Sequence, residues 1–95
     1  MQIHIALYKW KSSVTTDQIK AVLDKIKALE KIPSIVEISC AENTSEYNEG
    51  YTHVILVRGE NQAAIDAYRN HPEHDIAAKE IEAMEDEGIG VDFAT

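Results

Sequence analysis

The chain of 95 residues is long enough for one domain but has no room for a second core. Hydrophobic residues make up 44% and charged residues 27%, which is ordinary for a globular protein and excludes a disordered chain. The net charge is −8, and the excess acid lies after residue 37, which argues against nucleic acid and anionic membranes as partners because both bind basic surfaces.

Cysteine usage and hydropathy predict the compartment. Cys40 is the single cysteine, so no intrachain disulfide can form, which is typical of a reducing environment. The first residues lack the cationic segment and long apolar run of a signal peptide. No stretch approaches the roughly 20 apolar residues of a membrane span. We therefore expect a cytoplasmic protein.

The first predicted element is a strand over residues 3–10 with two different faces. One face carries Ile3, Ile5 and Leu7, and the other carries His4, Ala6, Tyr8 and Trp10. Both faces are largely apolar or aromatic, whereas a half-exposed strand would carry polar residues on one of them. We expect this strand to be covered on both sides.

A helix is predicted to follow, with Thr15 as its N-cap. Gln18 then occupies the N3 position of a capping box, and Val14 and Ile19 have the spacing of a hydrophobic staple. Apolar residues recur at three- and four-residue steps and form one stripe: Ile19, Val22, Leu23, Ile26 and Leu29. The pair Ile32-Pro33 is predicted to end this helix.

Two strands separated by a polar loop are predicted next. Residues 34–41 are rich in Ile and Val and predict the second strand. Residues 42–50 have no periodicity and predict a loop. Residues 51–57 predict a third strand that is again apolar on both faces.

The segment 67–74, Ala-Tyr-Arg-Asn-His-Pro-Glu-His, predicts a corner between two helices. Asn61 caps a short helix that carries Tyr68 and stops near Asn70, because the residue before a proline avoids the helical region. Pro72 suits the first turn of a third helix, which we expect to run to about Glu87. The buried face of this third helix is predicted to carry the apolar residues Ile76, Ala77, Ile81 and Met84. Its solvent-exposed face is predicted to carry the acidic residues Glu80, Glu82, Glu85, Asp86 and Glu87.

A final strand with alternating Ile89, Val91 and Phe93 completes the order β-α-β-β-α-α-β, with Gly88 as the predicted helix stop. This order predicts a single α+β domain over residues 1–95, with a ferredoxin-like four-stranded antiparallel sheet and helices on one face. The other face would be apolar, so we expect a homodimer that pairs two sheets. In a monomer, we expect the side carrying His4, Tyr8 and Trp10 to be uncovered.

Six short segments support a resemblance that spans nearly the whole chain. They are Ile3-His4-Ile5, Lys9-Trp10-Lys11, Ile32-Pro33-Ser34-Ile35, Gly50-Tyr51-Thr52-His53, the corner 67–74 and Val91-Asp92-Phe93. In this order they resemble the stress-responsive A/B barrel (Dabb) family, whose members are dimeric α/β barrels. The match is specific for the fold and much less so for the function, because one fold hosts many activities.

The resemblance also implies a site. One plant branch of the family contains enzymes of the olivetolic acid cyclase type, which fold a linear polyketide by aldol condensation. Carried over by motif, the catalytic residues are Tyr68 and His74, with His4 nearby and His71 as a neighbour. The plant enzymes place a tyrosine on the first helix where this chain has Lys25, so the same substrate is not implied.

The chemistry of the corner is consistent with acid–base catalysis. An unperturbed imidazole titrates near ~6.5, so His74 is a candidate general base, and the Tyr68 hydroxyl is a candidate donor to an enolate oxygen. The alternative is structural, with Tyr68 at the rim of the core and His71 capping the third helix. Tyr8 and Trp10 are candidates for lining a ligand site or for packing in the dimer.

A metal site is a further alternative for the same residues. His71 and His74 lie three residues apart, and His4 or Asp92 would have to supply a third ligand. Pro72 separates the two imidazoles across a helix start, and no cysteine pair supports a metal site. We expect no metal and no cofactor. His53, in a strand, is expected to be a hydrogen-bonded core or interface histidine.

Three functional hypotheses remain from the sequence. The first is a homodimer that binds a small organic molecule in the barrel, and which, as an enzyme, would be a cofactor-independent cyclase or lyase. The second is a non-enzymatic stress-response protein acting as a stable oligomer. The third is a haem-linked oxygenase. A cavity beside Tyr68 and His74 would favour the first, a filled barrel the second, and haem absorbance the third.

Overall fold

A computed structural model describes all 95 residues as one four-stranded antiparallel sheet with helices on one face. The elements are β1 Gln2–Trp10, α1 Thr16–Lys27, a 3₁₀ helix Ala28–Lys31, β2 Ile35–Glu42, β3 His53–Gly59, α2 Gln62–Asn70, α3 Pro72–Met84 and β4 Glu85–Ala94. The strand order across the sheet is β2-β3-β1-β4. The predicted ferredoxin-like fold with a broken second helix is confirmed. None of the helices is both long and apolar enough to cross a membrane.

The start of α1 is determined locally by the predicted capping box. The Thr15 hydroxyl accepts the Gln18 N–H at 3.2 Å, and the Gln18 side chain accepts the Thr15 N–H at 2.8 Å. The helix ends at Lys27, and the chain continues as a 3₁₀ helix to Lys31 instead of remaining α-helical up to Pro33. Such a tighter last turn is common at helix ends, and Leu29 remains fully buried within it.

The strand boundaries differ from the predicted ones by one or two residues. β2 begins at Ile35 because Ser34 has a φ of 69°, the left-handed conformation of a turn residue. β3 covers His53–Gly59, two residues later than the predicted 51–57. Differences of this size do not move any side chain to the other face of the sheet.

The end of the third helix was predicted wrongly. α3 stops at Met84, and Glu85 already belongs to β4, in place of a helix to Glu87 with Gly88 as its stop. Trp10 pairs with Glu85 and Lys9 with Glu87, so the end of β1 provides strand partners for this segment. Acidic side chains at a helix C-terminus also oppose the helix dipole, which disfavours a longer helix.

The orientation of β1 was also predicted wrongly. The face carrying His4, Tyr8 and Trp10 is the one that the helices cover, since Ala6 on this face is buried in the core and Tyr8 and Trp10 pack against it. The uncovered face carries Ile3, Ile5 and Leu7, paired with Phe93, Val91 and Ile89. Because both faces of β1 are apolar, the alternation alone could not tell them apart.

The uncovered face is a continuous apolar surface, which we call the open face. Its members on three adjacent strands are Ile5, Leu7, Val54, Leu56, Ile89, Val91 and Phe93, whereas Ile3 on the same side of the sheet is only 7% exposed. Ile89, Val91 and Phe93 are 42–44% exposed. On α3, Ala77 and Ile81 are buried as predicted, but Ile76 is 56% exposed because it lies one position away from Ala77 and points outward.

The capping box gives a test of local stability. Replacing Thr15 with Ala removes a side-chain acceptor for a free helix N–H, and we expect the free energy of unfolding to fall by about 1 kcal/mol. The matched control is Thr16→Ala, which alters an exposed neighbour that makes no side-chain hydrogen bond and should change stability by less than about 0.5 kcal/mol. Urea unfolding at equal protein concentration measures both. Equal losses in the two variants would contradict the assignment of the cap.

Candidate functional site

A cavity of about 440 Å³ lies between α3 and the covered faces of β1 and β4. This volume is in the range of pockets that bind small organic molecules. The polar or ionisable side chains in its wall are His4, Tyr8, Tyr68, Arg69, His74, Glu82 and Glu85. Four of the six site residues predicted from the sequence, His4, Tyr8, Tyr68 and His74, are thus brought together.

The cavity exists because β4 has almost no side chains on its inner face. Gly88, Gly90 and Asp92 pair with Tyr8, Ala6 and His4 and share their face of the sheet. A Cβ at Gly90 would meet no atom within 4 Å, so the space above this strand is open. On the opposite wall, α3 contributes the small Ala78 between His74 and Ile81.

Tyr68 is a core residue whose hydroxyl reaches the cavity. Its side chain is 2% exposed and belongs to the hydrophobic core, yet the hydroxyl has no hydrogen-bond partner in the protein. No fully buried side-chain polar atom in the structure lacks a partner, so the hydroxyl must lie at the cavity surface. Burial raises the pKa of Tyr68 above its usual range, and the hydroxyl therefore stays protonated as a hydrogen-bond donor.

His74 lies against Tyr68 in the first turn of α3. The two rings meet edge to face, with centroids 4.6 Å apart and an interplanar angle of 68°. Burial lowers the pKa of His74, and the nearby His4 and Arg69 lower it further, with Asp75 opposing them. The imidazole is therefore neutral near pH 7 and makes no side-chain hydrogen bond, which leaves it free to accept a proton.

His4 is hydrogen-bonded to an ion pair between Asp92 and Arg69 that the sequence did not indicate. Asp92 Oδ1 lies 2.7 Å from His4 Nδ1, and Arg69 Nη2 binds both Asp92 oxygens at 2.8 and 3.0 Å. Arg69 Nη2 also lies 3.1 Å from His4 Nδ1, but one nitrogen cannot both donate to a carboxylate and accept from a guanidinium. The shorter contact assigns the proton to Nδ1, which leaves Nε2 as an acceptor.

Asp92 supplies the negative charge of this group. Its hydrogen bond with Arg69 is the main reason that the pKa of Asp92 is lowered, and the bond to His4 adds to the effect. Arg69 is adjacent to Tyr68 in the chain, but its partner is 23 residues away and His4 is 65 residues away. No local sequence pattern could have identified this network.

Of the two aromatic residues at the end of β1, Tyr8 lines the cavity and Trp10 does not. Tyr8 is in the cavity wall, where burial and the carboxylate of Glu85 raise its pKa to about 12. Trp10 stacks on Tyr8 at 5.2 Å but is not part of the wall. The Trp10 indole N–H donates to His53 Nδ1 at 3.0 Å, so His53 is hydrogen-bonded as predicted.

His71 also lies outside the cavity wall. Its Nδ1 accepts the backbone N–H of Glu73 at 3.1 Å and thereby caps α3, which agrees with the structural alternative predicted for this residue. No group of three or more His, Cys, Asp or Glu side chains could hold a metal ion. The corner thus separates two histidines only three residues apart, one facing the cavity and one serving as the cap.

A larger groove of about 700 Å³ lies between α1 and the edge strand β2. Its two lysines already have partners within the protein: Lys20 pairs with Asp24 at 2.7 Å, and Lys27 pairs with Glu30 at 2.6 Å. Burial raises the pKa of Cys40 in this groove to about 11, so its thiol is protonated and unreactive. The smaller cavity beside Tyr68 is therefore the better candidate site.

Comparison with protein families gives one match, to the stress responsive A/B barrel domain, over residues 3–95. No match was found among curated proteins.

Several solved structures are similar. A dimeric ferredoxin-like protein of unknown function from Thermobifida fusca YX is 26% identical with a TM-score of 0.86, and the match covers 99% of this chain and 90% of that one. A second dimeric ferredoxin-like protein of unknown function, from Jannaschia sp. CCS1, is 23% identical with a TM-score of 0.89 over 99% and 98% of the two chains. A hydroxynitrile lyase from Passiflora edulis is 18% identical with a TM-score of 0.85 over 97% and 90%.

The environment of His74 predicts a pH dependence. Because the folded pKa of His74 is lowered, the unfolded chain binds more protons between that value and about 6.5. The contribution of neutral His74 to the free energy of unfolding is therefore complete above about pH 6.5 and decreases as the pH falls through the folded pKa. Proton NMR titration should place His74 below 6.5, and His74→Gln should flatten the pH dependence of unfolding in this window. A titration midpoint above 6.5 would contradict the assigned environment.

Proposed function

The chain belongs to the stress responsive A/B barrel domain family, and we propose that it binds a small organic carbonyl compound and catalyses proton transfer of the cyclase or lyase type without a cofactor. One observation carries this proposal. The unpaired hydroxyl of a buried tyrosine, Tyr68, lies beside the unpaired and neutral imidazole of His74 in a cavity large enough for a substrate. Unsatisfied polar groups at the wall of a cavity are typical of binding and catalytic sites.

The proposed step is removal of a proton next to a carbonyl group. A ring nitrogen of His74 accepts the proton, the C–H bond breaks, and its electron pair becomes the enolate. The Tyr68 hydroxyl donates a hydrogen bond to the oxygen on which negative charge develops, and its raised pKa keeps it protonated for that purpose. In a cyclase, the enolate carbon attacks a second carbonyl of the same molecule, and His74 returns its proton to the alkoxide that forms. In a lyase, His74 instead removes the proton of a hydroxyl group; the O–H electron pair forms the new carbonyl as the C–C bond breaks, and the carbanion that leaves takes up the proton.

His4 and Tyr8 support this step from the same wall. Asp92 fixes the Nδ1–H tautomer of His4, so that His4 Nε2 remains as a second acceptor for hydroxyl groups of the substrate. Tyr8, with a pKa of about 12, is a second neutral donor. The open cavity favours this function over a purely structural stress protein, for which we would expect a filled interior.

The test compares three variants at the corner. We expect the wild-type protein to accelerate exchange of the α-protons of phenylacetone in D₂O, followed by NMR, or cleavage of mandelonitrile to benzaldehyde, followed by absorbance. His74→Ala and Tyr68→Phe should each lower the rate by about 100-fold or more. The control His71→Ala removes the cap and should cost about 1 kcal/mol of stability with little effect on the rate.

Two outcomes would contradict this assignment. An inactive but stable His71 variant together with an active His74 variant would reverse the roles of the two histidines. No acceleration of either reaction, together with no binding of 4-nitrophenol as an enolate mimic, would remove the enzymatic proposal and favour the stress protein. The haem alternative is tested on the same preparation by its absorbance.

We propose a cytoplasmic location because Cys40 cannot form an intrachain disulfide, which is typical of proteins in a reducing compartment.

The open face supports a homodimer in which two sheets pack against each other. The similar proteins from Thermobifida and Jannaschia are described as dimeric. Apolar patches as continuous as the open face are rarely left in water. The outer sides of the helices, by contrast, carry charged pairs: Lys25 of α1 with Glu80 of α3, and Lys31 of the 3₁₀ helix with Glu73 of α3.

Sedimentation at micromolar concentration tests the dimer. Val91→Glu places a charge in the middle of the open face and should shift the protein to monomers, because the carboxylate would be buried without a partner. The matched control is Ile76→Glu, at a comparably exposed apolar residue on the outer side of α3, which should leave the dimer intact. A wild-type monomer, or equal dissociation in both variants, would contradict pairing through the open face.

A further inference from the structure

The end of the cavity away from His74 carries two carboxylates without cationic partners. Glu82 and Glu85 both line the cavity, and neither forms an ion pair with any Lys, Arg or His of the chain. The one guanidinium in the wall, Arg69, is already bound to Asp92. With His74 neutral, the wall therefore has an uncompensated negative charge at one end.

The position of the Glu85 carboxylate depends on Gly88. A Cβ at Gly88 would lie 2.6 Å from Glu85 Oε2 and 3.4 Å from ring carbons of Tyr8. The carboxylate thus occupies the space above the bare backbone of β4, next to the Tyr8 ring. This contact places it in the cavity even though neighbouring Asp86 and Glu87 are exposed.

The two ends of the cavity are well separated. His74 lies in the first turn of α3 and Met84 at its end, ten residues or about 15 Å further at 1.5 Å per residue, and Glu85 follows Met84 directly. On the facing strand, His4 and Tyr8 are four residues apart, or about 13 Å. Tyr68, His74 and His4 therefore form a reacting end, and Tyr8, Glu82 and Glu85 form an acidic end.

We propose that the acidic end binds a basic nitrogen, so that the substrate is an elongated amino-carbonyl compound with its carbonyl at Tyr68 and its ammonium group at Glu85. This inference rests on the proposed function for the placement of the carbonyl. The unpartnered hydroxyl of the buried Tyr68, at the other end of the same cavity, indicates that the cavity takes a ligand. An unpaired carboxylate favours a cation and repels a carboxylate, so Glu85 acts as the specificity-determining residue.

Three phenols that differ only in their terminal group test the inference. The phenol oxygen stands in for the enolate at the reacting end, and the probes are 4-(4-aminobutyl)phenol, 4-butylphenol and 5-(4-hydroxyphenyl)pentanoate. Titration calorimetry with the wild-type protein should give affinities about three- to tenfold higher for the amine than for the neutral phenol, with the carboxylate weakest. The shorter 4-(2-aminoethyl)phenol should lose most of the advantage of the amine, because it cannot span both ends.

Two variants at neighbouring positions distinguish an effect of the proposed subsite on affinity from an effect of the protein's overall charge. Glu85→Gln keeps the size of the side chain and should bring the amine and the neutral phenol to similar affinities. Asp86→Asn removes the same charge from an exposed residue outside the cavity and should leave the preference unchanged. Equal affinities for all three probes in the wild type, or equal effects of the two variants, would overturn the subsite.

The probes also distinguish failure of the subsite from failure of the proposed function. Binding of 4-butylphenol that depends on Tyr68 and His74, without any preference for the amine, would leave the proposed chemistry in place and remove only the role of Glu85. No binding of any of the phenols would overturn both.

Discussion

The burial of the Tyr68 ring is the interaction on which the site depends. The ring packs in the core at the end of α2, where an aromatic side chain contributes more to stability than most residues, and only its hydroxyl remains at the cavity. His71 and Pro72 then turn the chain into α3, which brings His74 against the edge of the same ring. The relative position of the two rings is therefore held by the core itself and not by a loop, which is the kind of placement that the proposed catalysis would require.

One strand with a simple alternation serves two purposes. The outer residues of β4 are Ile89, Val91 and Phe93, which extend the open face, while its inner residues, Gly88, Gly90 and Asp92, leave room for the cavity. A strand that placed large apolar residues inward would fill the site, and one with polar residues outward would weaken the proposed interface. The proposed ligand site and the proposed dimer interface thus use opposite faces of the same ten residues.

Much of the architecture could be predicted from local patterns. The capping box at Thr15, the Asn61 cap and the break at Pro72 depend on residues within one helical turn of each other, so they are visible in the sequence. The resemblance to the family rests on six short segments and implies a site at Tyr68, His74 and His4, while Tyr8 is a candidate from its position on the sheet; the structure has all four in the wall of one cavity. The role of His71 as a cap was among the alternatives, because a polar residue before a helix-starting proline is a local signal.

Only the tertiary structure decided which face of β1 meets the helices, since both faces of this strand are apolar. It also decided that Glu85 begins a strand, because the pairing with Trp10 across 75 positions overrides a local pattern that reads as helix. The ion pair of Arg69 with Asp92 beside His4 depends on the same long-range pairing of β4 with β1. Sequence periodicity reports the side chains that share a face, but only packing determines what that face contacts.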